Sequence, residues 1–364
     1  MKLLLAGNLA NHGYFLVKLL REKNFDAQLL MKKNCSITED PLKFDKNLTD
    51  YPDWINFYDT SKQNWKINII KKMRKFELIQ SSTELPIFSY LSKKPYISFA
   101  LGADLAKLAK EKSIKGMMLN RAYKKSKIVV FSAPHLKKHA DRIKIKKSIF
   151  LPLLWDYKKF QIKKIIEKNH NFVIFHPTNH LWNYKKNNLF LKAFSKLASD
   201  NKKAHLIMIN RGVDFKKSKQ IVKDAIENKQ VTILPNTLSQ SELIEYYHKS
   251  DVIVDQFGVG STGLIGQEVM ACGKPLIQYI DKKMYNEFYS EIPPILNSKN
   301  EYEIYQNLSE LCNDPNLGIN IGKKSQQWIL ENHNPEKIIK KYIYLYEAIN
   351  EKIEFDEIKD RLKF

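Results

Sequence analysis

Residues 251–275 hold the densest candidate chemistry in the chain. They read Asp251-Val-Ile-Val-Asp255-Gln-Phe-Gly258-Val-Gly260-Ser261-Thr262-Gly263-Leu-Ile-Gly-Gln-Glu268-Val-Met-Ala-Cys272-Gly273-Lys274-Pro275. A short apolar run passes through a glycine-rich turn into a helical pattern. Glycines at 258, 260 and 263 allow a ligand close to the backbone, and free N–H groups at a helix start present partial positive charge to a phosphate. Ser261 and Thr262 add hydroxyl donors. Farther along the helix, the carboxylate of Glu268 is suited to accept both hydroxyls of a ribose diol. Asp255, at the end of the apolar run, either lines the same site or orders the turn. In the first half, His12 and Gly13 close a loop after an apolar run, and Asp104 follows Gly102-Ala103. These positions suit an acceptor or sugar contact at a strand's carboxyl end; the plainer alternatives are a histidine at a helix start and an N-capping aspartate.

The elements needed to position these residues are legible as short apolar runs set before amphipathic stretches, the pattern of parallel α/β sheets. Strands are expected over 2–6, 27–31, 76–79, 96–99, 128–131 and 148–151, then over 172–175, 204–209, 231–234, 252–255 and 276–279. Helices are expected over 14–22 and over 188–198, where Phe190, Ala193, Phe194 and Leu197 share a face. Ser239 with Glu242 three residues on is a capping-box pattern, and Gly273 sits as a C-cap. The Lys-rich stretch 157–171 marks a connection between two domains, 1–160 and 161–335. A last helix over 335–350, with Ile338, Tyr342, Leu345 and Ile349 as its stripe, belongs to a segment 336–364 expected to pack across both.

At 364 residues and 43% hydrophobic composition the chain can bury two cores. Its N-terminal apolar run is too brief for a signal sequence or a membrane span, so a cytoplasmic protein is expected. Cys35, Cys272 and Cys312 are widely spaced, which suits neither a disulfide framework nor a zinc site. The net charge of +22 would serve nucleic acid, anionic lipid or a phosphorylated substrate, but Lys accompanies abundant Asn and Ile, as base composition alone would produce. No helix-turn-helix, zinc or aromatic RNA-binding signature accompanies the charge, and no nucleic-acid partner is expected.

Glu268-Val-Met-Ala-Cys-Gly-Lys-Pro275 resembles the donor-site signature of the group 1, or family 4, glycosyltransferases. There a Glu follows a glycine-containing turn and precedes Met-Ala-x-Gly-x-Pro. That family also places a basic pair ahead of a helix ending in Ala-Phe, and His176-Pro-Thr-Asn-His180-Leu-Trp-Asn-Tyr-Lys185-Lys186 leads here into Ala193-Phe194. Looser echoes are Gly102-Ala-Asp104 and Pro152-Leu-Leu-Trp-Asp156. The resemblance implies the α/β GT-B fold, two Rossmann-like doubly wound domains facing a cleft. It implies a nucleoside-diphosphate sugar as donor substrate, no permanently bound cofactor, no metal, and transfer with retention to a glycan or lipid-linked hydroxyl, in cell-surface glycan synthesis. Lys185 and a second cation would neutralise the departing diphosphate.

Three positions depart from the family pattern. Gly260 stands where many members carry a first glutamate, and the amides of the Gly260-Ser261-Thr262-Gly263 turn are the expected replacement. His180 takes the place of the family's arginine, with Arg211 as the alternative. Leu101 replaces a histidine. A sugar-nucleotide epimerase of the same architecture and a non-catalytic binding relative are the competing readings. An anionic membrane surface is a further expected partner, on two grounds. Drawn as a helix, 65–76 sets Trp65, Ile69, Met73 and Phe76 on one face, and Lys137, Lys138, Arg142, Lys144, Lys146 and Lys147 form a basic run.

Overall fold

The computed structural model describes residues 1–36, 39–44, 48–160 and 171–363. They form two compact units, Met1–Asp156 with His333–Phe364, and Tyr157–Asn332. Residues 336–364 are thus part of the first unit. Most of the 157–171 connection lies outside the described residues.

The first unit is built on seven parallel strands: β1 (Leu3–Ala6), β2 (Ala27–Lys32), β3 (Ile55–Tyr58), β4 (Leu78–Ser82), β5 (Tyr96–Ala100), β6 (Val129–Phe131) and β7 (Ser148–Phe150). Their order is β3-β2-β1-β4-β5-β6-β7. Helices cover both faces, so strands such as β1, β4 and β5 are buried at every position and read as unbroken runs. The second unit repeats the plan with β8 (Phe172–His176), β9 (Ala204–Ile209), β10 (Val231–Leu234), β11 (Val252–Val254), β12 (Leu276–Gln278) and β13 (Leu296–Asn297), ordered β10-β9-β8-β11-β12-β13. In each sheet the winding reverses beside the first strand, between β1 and β4 and between β8 and β11. Such a reversal opens a crevice at the strands' carboxyl ends, where doubly wound folds take ligands.

Helix Asn187–Asp200 buries Phe190, Ala193, Phe194 and Leu197 as the spacing requires. Ser239 and Glu242 close their capping box at the start of helix Gln240–Lys249. Helix Pro335–Asn350 lays Ile338, Tyr342 and Leu345 into the core of the first unit, and Tyr346 donates its hydroxyl to the buried Gln80 Oε1 at 2.9 Å. Helix Trp65–Met73 corrects one expectation. Ile69 and Met73 are fully buried and Phe76 nearly so, packed with Leu4, Leu30 and Ile79. Its apolar stripe is core and is not offered to a membrane. No helix among the described residues is long and apolar enough to cross one.

Candidate functional site

At the carboxyl ends of the second sheet, the loops over 177–181, 210–214 and 255–263 are laced together by backbone hydrogen bonds. His180 N–H donates to the Arg211 carbonyl at 2.8 Å, and Asp214 N–H donates to the His180 carbonyl at 3.1 Å. Phe257 N–H donates to the carbonyl of Lys185 at 2.8 Å, tying the third loop to the short helix Trp182–Lys185. Gly258 makes that approach possible, because a Cβ there would stand 2.1 Å from the Tyr184 carbonyl oxygen. Its bare Cα therefore serves protein packing and not, as the sequence suggested, a ligand. Gly258→Ala is expected to displace the helix that carries Lys185, to destabilise the fold by about 1–3 kcal/mol and to reduce activity. An unchanged melting temperature and an unchanged turnover would show that the loop yields freely.

Lys185 and Arg211 are brought to neighbouring residues of one loop. The Lys185 ammonium donates to the Thr178 hydroxyl, and the Arg211 guanidinium donates through Nη2 to the Pro177 carbonyl at 3.1 Å. Thr178 is fully buried, so the lysine is steered onto a hydroxyl fixed in the loop that follows β8. Burial pushes the Asp255 carboxyl upward, and Lys185 holds it back. Both cations are partly exposed, and neither forms an ion pair with a carboxylate among the described residues. Uncompensated positive charge held at a partly desolvated site is suited to an anion.

His180 does not supply the second cation. It is fully buried, its Nδ1 lies 2.8 Å from the Ser218 hydroxyl, and burial with the fields of Lys185 and Arg211 pushes it down to about 4. It stays neutral and props the loop. The cation that docks beside Lys185 on this loop is Arg211. His176, also fully buried, holds Val254 and Asn187 at the base of the same loops.

Glu268 lies on helix Leu264–Ala271 and is buried, with Oε2 accepting the hydroxyl of Tyr247 at 2.9 Å. Burial, reinforced by the charge of Asp255 and opposed by the Tyr247 hydrogen bond, raises its carboxyl to about 8. Its other oxygen carries no hydrogen bond from the described residues. The turn before this helix is organised by two side chains that the sequence did not single out. Gln256 accepts from the Gly258 and Val259 amides and donates to the Ser261 carbonyl at 2.8 Å. Tyr285 pairs with the Thr262 hydroxyl at 2.6 Å and accepts from the Thr262 amide at 2.8 Å. Thr262 is therefore taken up internally, which corrects its expected place among ligand donors, and Ser261 is buried beside it. Gly260 adopts φ +77°, a left-handed conformation that suits glycine. Gly263 faces open space and caps the helix without a side-chain partner, so the orphan amides of the helix start remain available.

In the first unit, the three residues expected on the sugar side are engaged within the protein. The His12 ring stacks on Phe99 with centroids 4.7 Å apart, Nδ1 accepts from the Leu154 amide at 3.2 Å, and burial pushes it down to about 4. Gly13 is needed for packing, since a Cβ would meet the Gly7 carbonyl at 2.4 Å. Asp104 accepts from the amides of Leu101, Gly102 and Leu105 and from the Tyr123 hydroxyl, as an ordering residue of its turn. Among the described residues, no group of three or more His, Cys, Asp or Glu is arranged to hold a metal.

Residues 158–328 match the family model described as Glycosyl transferases group 1. No curated protein matches the chain by sequence. Among solved structures, HepE of Anabaena in complex with UDP and glucose superposes with a TM-score of 0.73 at 11% identity, over 96% of this chain and 100% of that one. Sucrose-phosphate synthase of Thermosynechococcus elongatus gives 0.69 at 13% identity, over 97% and 100%. A glycosyltransferase of Rickettsia africae gives 0.68 at 15% identity, over 96% and 98%. The second unit thus carries the match to the group 1 glycosyltransferase model, and the doubly wound sheets of both units, repeated in these structures, are those of the GT-B fold.

Proposed function

We propose that the second unit binds a nucleoside-diphosphate sugar and that the enzyme moves the sugar to a hydroxyl of a glycan or lipid-linked acceptor. The observation that carries this reading is the pair Lys185 and Arg211, docked on Thr178 and Pro177 without ion-paired carboxylates among the described residues, together with the open helix start at Gly263. The diphosphate lies against these cations and amides, and Glu268 receives the ribose hydroxyls. As the bond from the anomeric carbon to the phosphate oxygen breaks, its electron pair passes to the diphosphate, where Lys185 and Arg211 meet the growing charge. The acceptor oxygen forms the new bond to that carbon, and its proton passes to the released phosphate. Retention, independence of metal and a place in cell-surface glycan synthesis extend the family resemblance to this chain. UDP is bound by HepE, a protein of similar fold, which makes a uridine donor the first to test.

The test is a thermal-shift panel of UDP, GDP and ADP, since a ligand bound only by the folded state raises its apparent stability. One nucleoside diphosphate is expected to shift the transition, and the shift is expected to disappear in Arg211→Ala. No response to any of the three would overturn the reading. A sugar-nucleotide epimerase would invert its substrate without an acceptor, so product formation that depends on an added hydroxyl compound separates the two. Docking on an anionic membrane has lost its apolar helix to the core.

A further inference from the structure

The first unit carries a groove of about 1120 Å³ whose charge is almost entirely of one sign. Lys110 and Lys112 line it from the segment ahead of helix Ile114–Lys125, and Arg121, Lys124 and Lys125 line it from that helix. Arg142 and Lys144 close the far wall, at the end of helix Lys137–Arg142. Against these seven cations stands one carboxylate, Glu111. No lining cation is ion-paired among the described residues, whereas nearby Lys115 and Lys137 are bound to Glu84 and Asp141. The crowding is visible in the Lys110 ammonium, which lies 2.7 Å from His139 Nδ1 in place of a carboxylate. Burial and the charges of Lys110, Lys138 and Arg142 push that imidazole down to about 4, so it acts as a neutral acceptor.

Like charges gathered from three segments repel one another, and a folded surface does not gain from assembling them unless an anion sits among them. The groove also leads somewhere. Glu111 is shared with a second cavity of about 330 Å³, lined by Leu9, Thr83, Leu101 and Asp104, at the carboxyl ends of β1, β4 and β5. That cavity lies at the winding reversal of the first sheet, where a ligand's reacting end is expected. We infer that the groove binds the body of a polyanionic acceptor, a chain bearing several phosphate or comparable acidic groups, whose hydroxyl-bearing end enters the cavity beside Asp104. This rests on the reading of the chain as a sugar-transferring enzyme and names the class of its acceptor.

The groove is tested with the full chain, a short linear inorganic polyphosphate as probe, and vesicles of phosphatidylglycerol or phosphatidylcholine as separate arms. The wild-type protein is expected to bind polyphosphate with an affinity that falls as salt rises. The double substitution Arg121→Gln with Lys124→Gln is expected to weaken it about tenfold, while Lys192→Gln with Lys202→Gln, exposed lysines of the second unit, leaves it unchanged. Equal weakening by both pairs would mean that net charge alone attracts the probe, and the groove would be no site. Binding to phosphatidylglycerol vesicles without binding to polyphosphate would overturn the proposal in favour of a membrane surface. A UDP thermal shift run on the same variants separates the two readings. If polyphosphate binds in the groove but no nucleotide binds, the transfer reading fails and the groove remains an anion site; if the nucleotide binds and the groove variants bind polyphosphate as wild type, only the acceptor assignment fails.

Discussion

Lys185→Ala is expected to lower kcat by about two orders of magnitude or more while changing nucleotide affinity far less. The expectation follows from where the ammonium is held. It is held against the buried Thr178 hydroxyl and forms no ion pair with a carboxylate among the described residues, so its field is directed at an anion that gains charge during the reaction. Removing a preorganised group of this kind typically costs a factor of about 10²–10³ in turnover. The measurement is kcat and KM for sugar transfer beside the Kd for the nucleotide, in Lys185→Ala and in Arg211→Ala. Equal losses in kcat and affinity would mean ordinary ground-state binding. Thr178→Val is a useful companion, because it keeps the cation and removes its tether. Its kcat is expected to fall with little change in nucleotide Kd, and wild-type turnover in that variant would show that Thr178 does not position the lysine.

Glu268→Ala is expected to weaken nucleotide binding by about 1–3 kcal/mol, the scale for charge-assisted hydrogen bonds to a ribose, with the fold retained. The buried carboxyl adds a pH signature. Its raised value of about 8 means that the unliganded protein carries it protonated at neutral pH. Two ribose hydroxyls favour the carboxylate, so nucleotide affinity should rise as pH approaches and passes 8, and Glu268→Gln should flatten this rise. The stability of the empty protein runs the other way. A folded value above the ordinary 4.5 means that the folded state holds the proton more tightly, so this contribution is fully present below about 4.5 and is lost as pH rises through about 8. Denaturation across that window should show Glu268→Gln losing less stability than wild type. If both proteins bind the nucleotide with the same pH dependence, Glu268 does not touch the ribose.

The sequence was most readable where local pattern and tertiary role agree. Strands β9 and β10 and helix Pro335–Asn350 fall on their expected limits, because apolar runs and capping residues bound them sharply. β3 went unseen, since Ile-Asn-Phe-Tyr has one buried side chain and lies at a sheet edge, and two-residue β13 offers no periodicity at all. β4 starts two residues later than expected and runs three residues farther, because its buried Gln80, Ser81 and Ser82 read as loop, and Gln80 meets its partner Tyr346 only 266 residues away. For the proposed site, Lys185, Arg211 and Glu268 were nameable from motif and charge. Thr178, Tyr247, Gln256 and Tyr285 were not, because each acts through a partner that only the fold brings near. His180 shows the opposite failure. Its residue type allows a charge, but its burial forbids one, and burial at a loop position has no sequence signal.

The return of His333–Phe364 to the first unit makes that unit discontinuous in the chain, with the whole of the second inserted between its parts. During synthesis from the N-terminus, residues 157–332 are all made before the helix that buries Ile338, Tyr342 and Leu345 appears. The later-encoded unit can therefore finish folding first, while the seven-stranded sheet waits with Leu16, Leu20 and Phe99 lacking their cover. The interval is set by translation and not by the intrinsic folding rate of either sheet. For its duration the exposed surface belongs to the unit formed by the first residues made, so that half of the enzyme needs protection from aggregation on the ribosome.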